Sequence, residues 1–185
     1  MCRFFSVGPG ENLSGKDLSG LSMPGVDLSG CSLIGTSLRG TDLSGANLSG
    51  CSLIETDLTA TDISGANLTG VTLQISERVE WLTADRVKFT DATVCIKAGE
   101  SSFCESVFSG GRVTISGDHL TFSGTEFRHC QSAFNVSDSE FDHTQFEYVG
   151  FSGIFRFADS DFKNVKFTKC TYGIRSCKLP NGHSL

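Results

Sequence analysis

Four histidines, eight cysteines and two acid pairs are the side chains in this 185-residue chain that could hold a metal, close a bridge or move a proton. The histidines are His119, His129, His143 and His183. Zinc would call for a Cys-x-x-Cys pair or a His/Cys cluster, and the nearest two cysteines are Cys170 and Cys177. Glu140 with Asp142, and Asp159 with Asp161, have the composition of a general acid and base. There is no Gly-x-Ser-x-Gly elbow and no phosphate-binding glycine loop. Whether any of these groups converge depends on the elements that carry them.

Those elements are set by a repeat. Residues 31–50 read CSLIGTSLRGTDLSGANLSG and residues 51–70 read CSLIETDLTATDISGANLTG, agreeing at 14 of 20 positions. Inside each line a unit of five has Leu or Ile at its centre, from Leu33 and Leu38 through Ile63 and Leu68. A helix cannot use this period, because five steps of about 100° scatter the leucines around its axis. Extended backbone can use it. The residue two before each centre shares its face, and those residues (Cys31, Thr36, Thr41, Ala46 and their counterparts) are all small. One large and one small inward side chain per five, then a Gly or Ser/Thr corner, makes one side of a square coil that closes after twenty residues: a solenoid.

The units resemble the pentapeptide-repeat family, A-(D/N)-L-x-x, written nearly verbatim in Ala46-Asn47-Leu48-Ser49-Gly50 and Ala66-Asn67-Leu68-Thr69-Gly70. Thirteen consecutive units keep register from Glu11 to about Ile75. The resemblance implies an all-β, right-handed quadrilateral β-helix. It implies little about activity, since the family hosts several functions.

Beyond Leu73 the motif fades but its register does not. Allowing 19 to 21 residues per coil, four inward columns run almost to the C-terminus. One passes through Leu18, Leu38, Leu58, Val79, Ala98, Gly117, Val136, Phe157 and Cys177; the second through Met23, Leu43, Ile63, Ala84, Phe103, Phe122, Phe141 and Phe162. The third runs from Leu28, Leu48 and Leu68 to Phe89, Phe108, Phe127, Phe146 and Phe167. The fourth runs from Leu13, Leu33, Leu53 and Leu73 to Val94, Val113, Ser132, Phe151 and Tyr172. Every slip falls between the fourth column and the first. The expectation is one solenoid of about eight coils, roughly 40 Å long at ~4.8 Å per coil. Residues 1–10 form a cap through Phe4, Phe5 and Pro9, 11–75 the regular coils, 76–177 degenerate Phe-rich coils, and 178–185 a tail. The stretch 76–88, with the only tryptophan (Trp81), reads as a single helical turn or a bulged corner. Ile96 and Ile115 make up for the small Ala98 and Gly117.

On this register His119, His129 and His143 occupy outward corners on three different faces and do not converge. Cys31, Cys51, Cys130 and Cys170 take the small inward position as reduced fillers. The acid pairs share an outer face with no pocket implied. The reading is not an enzyme, with no cofactor, no metal and no catalytic residue. A net charge of −6 argues against direct nucleic-acid binding and against a basic membrane anchor. No apolar run approaches the ~18 residues of a bilayer span, and residues 1–10 lack a signal-peptide core. A cytoplasmic setting follows as the expectation.

Function then falls to the outer faces. Around the second column lie Asp42, Asp62, Asp85, Glu105, Glu140, Asp142 and Asp161 against Arg86 and Lys163: seven acids minus two bases, −5. The face of the fourth column is nearly uncharged and offers Ile34 stacked over Ile54, a candidate contact surface for a protein partner or a homodimer. Solvated faces carrying ordinary charge is the plainer reading. The leading expectation is a non-enzymatic interaction scaffold whose partner the sequence does not name. The resemblance adds DNA gyrase as a partner, because pentapeptide-repeat proteins of the quinolone-resistance type protect gyrase as DNA mimics. This chain departs from them in a tail too short for their dimerising C-terminal helix, in its modest −6, and in the many Lys and Arg of its second half. The resemblance also brings in bacterial effectors delivered into host cells, for whose secretion segment repeats beginning by Glu11 leave little room.

Overall fold

The computed structural model describes residues 7–172 and, within them, every side chain but those of 152–156, 158 and 172. Among these residues there are strands, bridges and turns and no helix. The strands in chain order are β1 (Ser52–Ile54), β2 (Thr72–Glu80), β3 (Lys88–Thr90), β4 (Thr93–Gly99), β5 (Val107–Ser109), β6 (Arg112–Asp118) and β7 (Glu126–Arg128). They continue with β8 (Gln131–Ser137), β9 (Glu140–Asp142), β10 (Gln145–Glu147), β11 (Gly150–Ala158), β12 (Asp161–Lys163), β13 (Lys166–Thr168) and β14 (Thr171–Tyr172).

Three local contacts recur among the five-residue units up to Gly70. An Asp or Asn just before the central Leu turns its carboxylate or amide oxygen onto the backbone N–H two residues on. Asp17 accepts from Ser19, Asp57 from Thr59 and Asn67 from Thr69 at 2.9 to 3.1 Å. That is the Asx contact that starts a turn. A residue at φ of about +50° to +75° then makes the corner. Lastly the small inward residue after the corner donates to a carbonyl of the preceding coil. Thr36 Oγ1 reaches Leu13 O at 2.8 Å, Thr61 Oγ1 reaches Leu38 O at 2.7 Å, and Cys51 Sγ reaches Leu28 O at 2.9 Å. The inward Thr and Cys therefore satisfy buried carbonyls as well as fill space. Among the described residues no buried side-chain nitrogen or oxygen lacks a partner.

The coils pair parallel, each with the next. One sheet runs β1-β2-β4-β6-β8-β11-β14, seven strands and hence six steps, and the bridges Asn12↔Ser32 and Ser32↔Ser52 add two more. The named strands supply six of these steps, somewhat short of the eight coils the column spacing predicts, and isolated bridges carry the ladder the rest of the way to Asn12. The four inward columns are realised: Leu28, Leu48, Leu68, Phe89, Phe108, Phe127 and Phe146 are all buried, as are Leu13 to Phe151 in the fourth column. The aromatic half stacks ring on ring. Centroids lie 4.4, 4.7, 4.9 and 4.9 Å apart along Phe89–Phe108–Phe127–Phe146–Phe167, with planes within 7° of parallel.

The cross-section changes partway. From Gly10 to Gly70 a left-handed residue recurs every five positions, thirteen corners of which eleven are glycine; Glu55 and Ala60 are the others. From Trp81 onward the corners are Trp81, Arg86, Asp91; Glu100, Glu105, Gly110; His119, Gly124, His129; Asp138, His143, Tyr148; and Asp159, Asn164, Lys169. Three per coil remain. The missing corner is the one between the fourth and first columns, where β2, β4, β6, β8 and β11 run straight through for seven to nine residues. Parity explains it. In a cornered unit the buried positions are Leu53, Thr56 and Leu58, with an extra residue at the bend; in β4 they are Val94, Ile96 and Ala98, strict alternation. Deleting one residue from a corner, as in β4, β6 and β8, or adding one with a register shift, as in β2 and β11, makes the interval even again and removes the bend. The slips expected at that one corner are the trace of its removal. Ile96, Ile115 and Phe134 then occupy the middle of the long side. Phe134 lies edge-on to Phe122, Phe127, Phe141 and Phe146.

The stretch 76–88 has no helical turn. It holds the end of β2, with a register shift between Gln74 and Arg78, and then the corners at Trp81 and Arg86. Glu55 satisfies the displaced backbone, accepting from Ser76 N at 3.2 Å and Ser76 Oγ at 2.7 Å. The expected plug of Phe4 and Phe5, the column member Cys177, and the tail 178–185 lie outside the described residues.

Candidate functional site

The described histidines stay apart. His119, His129 and His143 each occupy a left-handed corner, one on each of the three corner rows. His143 Nδ1 lies 2.8 Å from Asp142 and His119 Nδ1 lies 3.3 Å from Asp118. No group of three His, Cys, Asp or Glu among the described residues could hold a metal ion. The six described cysteines are all unbridged. Burial pushes the Cys51 thiol up to about 11, and burial raises Cys130 too, so these thiols stay protonated and act as donors and fillers.

Of the seven acids, Asp42, Asp62, Glu140 and Asp161 stand on one bridge ladder, and the carboxylates of the seven are differently employed. Asp42 pairs in register with Asp62, and Glu140 with Asp161. Asp42 Oδ1 accepts from Ser44 Oγ at 2.7 Å and Ser44 N at 3.0 Å, which holds its pKa below the ordinary value. Asp62 Oδ1 accepts from Ser64 N at 2.8 Å. Asp85 takes Ser102 Oγ and Cys104 N, and Asp142 takes Asn164 besides His143. Four of the seven thus build turns or bind neighbouring side chains. Glu105, Glu140 and Asp161 are exposed. On the uncharged side Ile34 is 43% exposed and Ile54 half-buried, one coil apart, in line with Ser32, Ser52, Thr72 and Thr93.

Three outward clusters escaped the sequence reading. Arg78 reaches across Gly99 to Asp118, two coils on, with Nη1 and Nη2 at 3.0 and 2.5 Å from its two oxygens, and its Nε contacts Glu80. The Arg78 guanidinium holds Asp118 down at about 2. Gly99 is what lets the guanidinium lie there, since an added Cβ would sit 2.0 Å from Arg78 Nη2. Trp81, 54% exposed, donates from Nε1 to Glu100 at 2.9 Å. On the third corner row His129 stacks on Tyr148 at 4.8 Å, and Lys169 Nζ donates to Tyr148 Oη at 2.8 Å. For the Trp81 and His129–Tyr148–Lys169 clusters the available signal was the corner itself: large side chains standing where the first half has glycine.

Open dishes lie on the surface of the described residues. One of about 290 Å³ lies at the β2 register shift, between Arg39, Glu55, Asp57, Glu77 and Arg78. Another, about 400 Å³, lies over Gly117 among Lys97, Ser116, Asp118 and Asn135. No helix among the described residues is long and apolar enough to cross a membrane.

Comparison with known proteins agrees with the repeat. The model of the pentapeptide repeats family matches residues 12–50 and 37–74. No curated protein matches the chain. Among solved structures, a pentapeptide repeat protein from the thylakoid lumen of Arabidopsis thaliana is 22% identical over 63% of this chain and 65% of its own, at a TM-score of 0.38; this chain therefore spans just under two thirds of it. HetL, a pentapeptide repeat protein involved in heterocyst differentiation regulation in the cyanobacterium Nostoc sp. strain PCC 7120, is 14% identical over 88% of this chain and 87% of its own, at 0.36. QnrB1, a plasmid-mediated fluoroquinolone resistance protein, is 15% identical over 88% and 92%, at 0.39. The match to the pentapeptide repeats family thus covers residues 12–74, and the coils that follow continue the same solenoid.

Proposed function

We propose that the chain is a non-enzymatic scaffold that binds a protein partner through the outside of its β-helix. The observation that carries this reading is the eight-step ladder, which holds outward side chains at one-strand spacing along faces of different chemistry. A rigid array of that kind binds without first ordering itself, which lowers the entropic penalty of association. The Ile34/Ile54 surface and the acids Glu105, Glu140 and Asp161 are the candidate contacts, and a homodimer through the isoleucines is one form of the first. The boundaries 1–10, 11–75, 76–177 and 178–185 belong to the same proposal, as does a cytoplasmic setting, which the unbridged thiols support. Affinity purification from the native host identifies the partner. Unchanged recovery by Ile34→Asp/Ile54→Asp protein removes that surface, and unchanged recovery by Glu105→Lys/Glu140→Lys/Asp161→Lys protein removes the other.

A second reading, DNA gyrase as the partner, draws on carboxylates aligned in register at Asp42–Asp62 and Glu140–Asp161. Asp42 and Asp62 already serve their own turns, which weighs against it. A supercoiling assay with a fluoroquinolone decides the matter: no protection at micromolar protein ends the gyrase reading. Delivery as an effector remains a further variant of the scaffold reading.

A further inference from the structure

We infer that the corner row headed by Trp81 is a docking strip for a basic, extended segment of a protein partner. The inference deepens the scaffold reading and rests on it. Along this row, successive coils place Gly20, Gly40 and Ala60, then Trp81, Glu100, His119, Asp138 and Asp159, all left-handed. The backbone ladder joins most of them: Ala60 N donates to Glu80 O, Trp81 N to Gly99 O, and Glu100 N to Asp118 O. A bare shelf thus leads up to an indole, and a run of polar side chains follows it.

Trp81 is the residue the fold has least reason to place here. A bulky side chain at φ +56° is strained by about 1 kcal/mol or more relative to glycine. The equivalent positions two coils and three coils earlier are glycine. Strain that packing does not require points to a task outside the core. The side chain is 54% exposed, and the bond from Nε1 to Glu100 fixes the indole. A fixed, half-exposed tryptophan is the side chain most enriched among binding anchors, and its face attracts Arg or Lys.

Charge selects the occupant. Glu80, Glu100, Asp118, Asp138 and Asp159 lie on or beside the row against Arg78, Lys97 and Arg156, five acids minus three bases, −2. Arg78 is already taken by Asp118 and Glu80. Such a strip repels nucleic acid and anionic lipid and attracts cationic peptide. Glu80 and Asp118 are held by Arg78 and Glu100 by Trp81, so the exposed Asp138 and Asp159, one coil apart, are the carboxylates an extended chain laid along the row meets, with a guanidinium stacked on the indole.

Fluorescein-labelled nona-arginine, followed by anisotropy with nona-glutamate as control, is the probe. Wild-type protein is expected to bind nona-arginine saturably and to ignore nona-glutamate. Trp81→Gly, which relieves the corner, should keep its circular dichroism and weaken binding at least about tenfold. Asp138→Asn/Asp159→Asn should weaken it severalfold. The Glu105→Lys/Glu140→Lys/Asp161→Lys protein should change it less than about threefold, because those charges lie on another face. Equal affinity of wild type and Trp81→Gly overturns the inference, and so does an acid-face variant that loses as much as Trp81→Gly. Should Trp81→Gly fail to fold, unchanged binding by the Asn pair overturns it alone. In each case a partner still recovered from the host leaves the scaffold reading standing.

Discussion

In the coils up to Gly70 a corner is glycine in eleven cases of thirteen, most often followed by a Thr, Cys or Ala that turns inward; beyond Gly70 a corner is Trp, Arg, His, Asp, Asn, Glu, Tyr or Lys in thirteen cases of fifteen. The first half has four corners per coil and a core of leucine. The second has three, a long straight side and a core of stacked phenylalanine. The same ladder runs through both. What differs is where free energy is placed. The first half keeps its backbone relaxed and spends its polar groups, Asp17, Asp42, Asp57 and Asp62 among them, on its own turns. The second tolerates strained corners and gains from ring stacking, about 0.5–1.5 kcal/mol per pair beyond burial. A regular region specifies the fold, and a less regular one, carried on the same register, has side chains to spare for recognition.

The largest predicted effect comes from breaking the ladder where it is most regular. Leu48→Asp puts a charge into a column closed on both sides by Leu28 and Leu68, a position 1% exposed. An unpaired buried charge is not tolerated, and each coil's core is its neighbours' core. The variant should lose several coils together, read as a collapse of the circular dichroism at room temperature. Melting like wild type would contradict the column assignment.

Phe127→Ala is the counterpart in the aromatic half. Phe127 stacks on Phe108 and Phe146 and meets Phe134 edge-on. Urea denaturation should show a loss of about 3–5 kcal/mol. It should exceed that of Leu48→Ala if stacking adds to burial, and match it if it does not.

Gly117→Ala tests the straightened side. An added Cβ would meet Ala98 O at 1.6 Å and the backbone sits at φ +139°. A loss of about 2 kcal/mol or more is expected, whereas Gly40→Ala, at φ +64° with nothing within 4 Å, should lose about 1. Equal losses would mean that the long side is no more constrained than a corner.

The smallest effect concerns pH. Arg78 lowers Asp118 from 3.8 to about 2, so the stability this contact adds is present above pH 3.8 and disappears as pH falls through about 2. Melting temperatures at pH 7 and pH 2 should converge between wild type and Asp118→Asn at the acid end and separate at neutrality. A constant difference across that window would remove the ion pair from the account.

Much of this was legible in the sequence because both periods are covalent facts. Leu33, Leu38, Leu43 and Leu48 declare the unit of five, and counting 19 to 21 residues carries the columns through Phe103 to Phe162. The slips were visible too, confined to one corner. Their meaning was not, because a lost residue and a lost bend look alike until parity is followed through Val94, Ile96 and Ala98. The acidic face was read from Asp42 and Asp62 as though their carboxylates were free. Contacts such as Asp42 to Ser44 are local and could have been anticipated from the Asx-x-Ser pattern. Arg78 with Asp118 could not, since 40 residues of chain separate them and only the coil brings them together.

The central claim is that one solenoid runs through residues 76–88 without a domain boundary. Hydrogen-exchange mass spectrometry on the whole chain tests it most directly. Continuous protection from Leu33 to Phe146, dipping only at the register shift between Gln74 and Arg78, is the predicted result. Two protected blocks separated by a fast-exchanging stretch over the whole of 76–88 would contradict it.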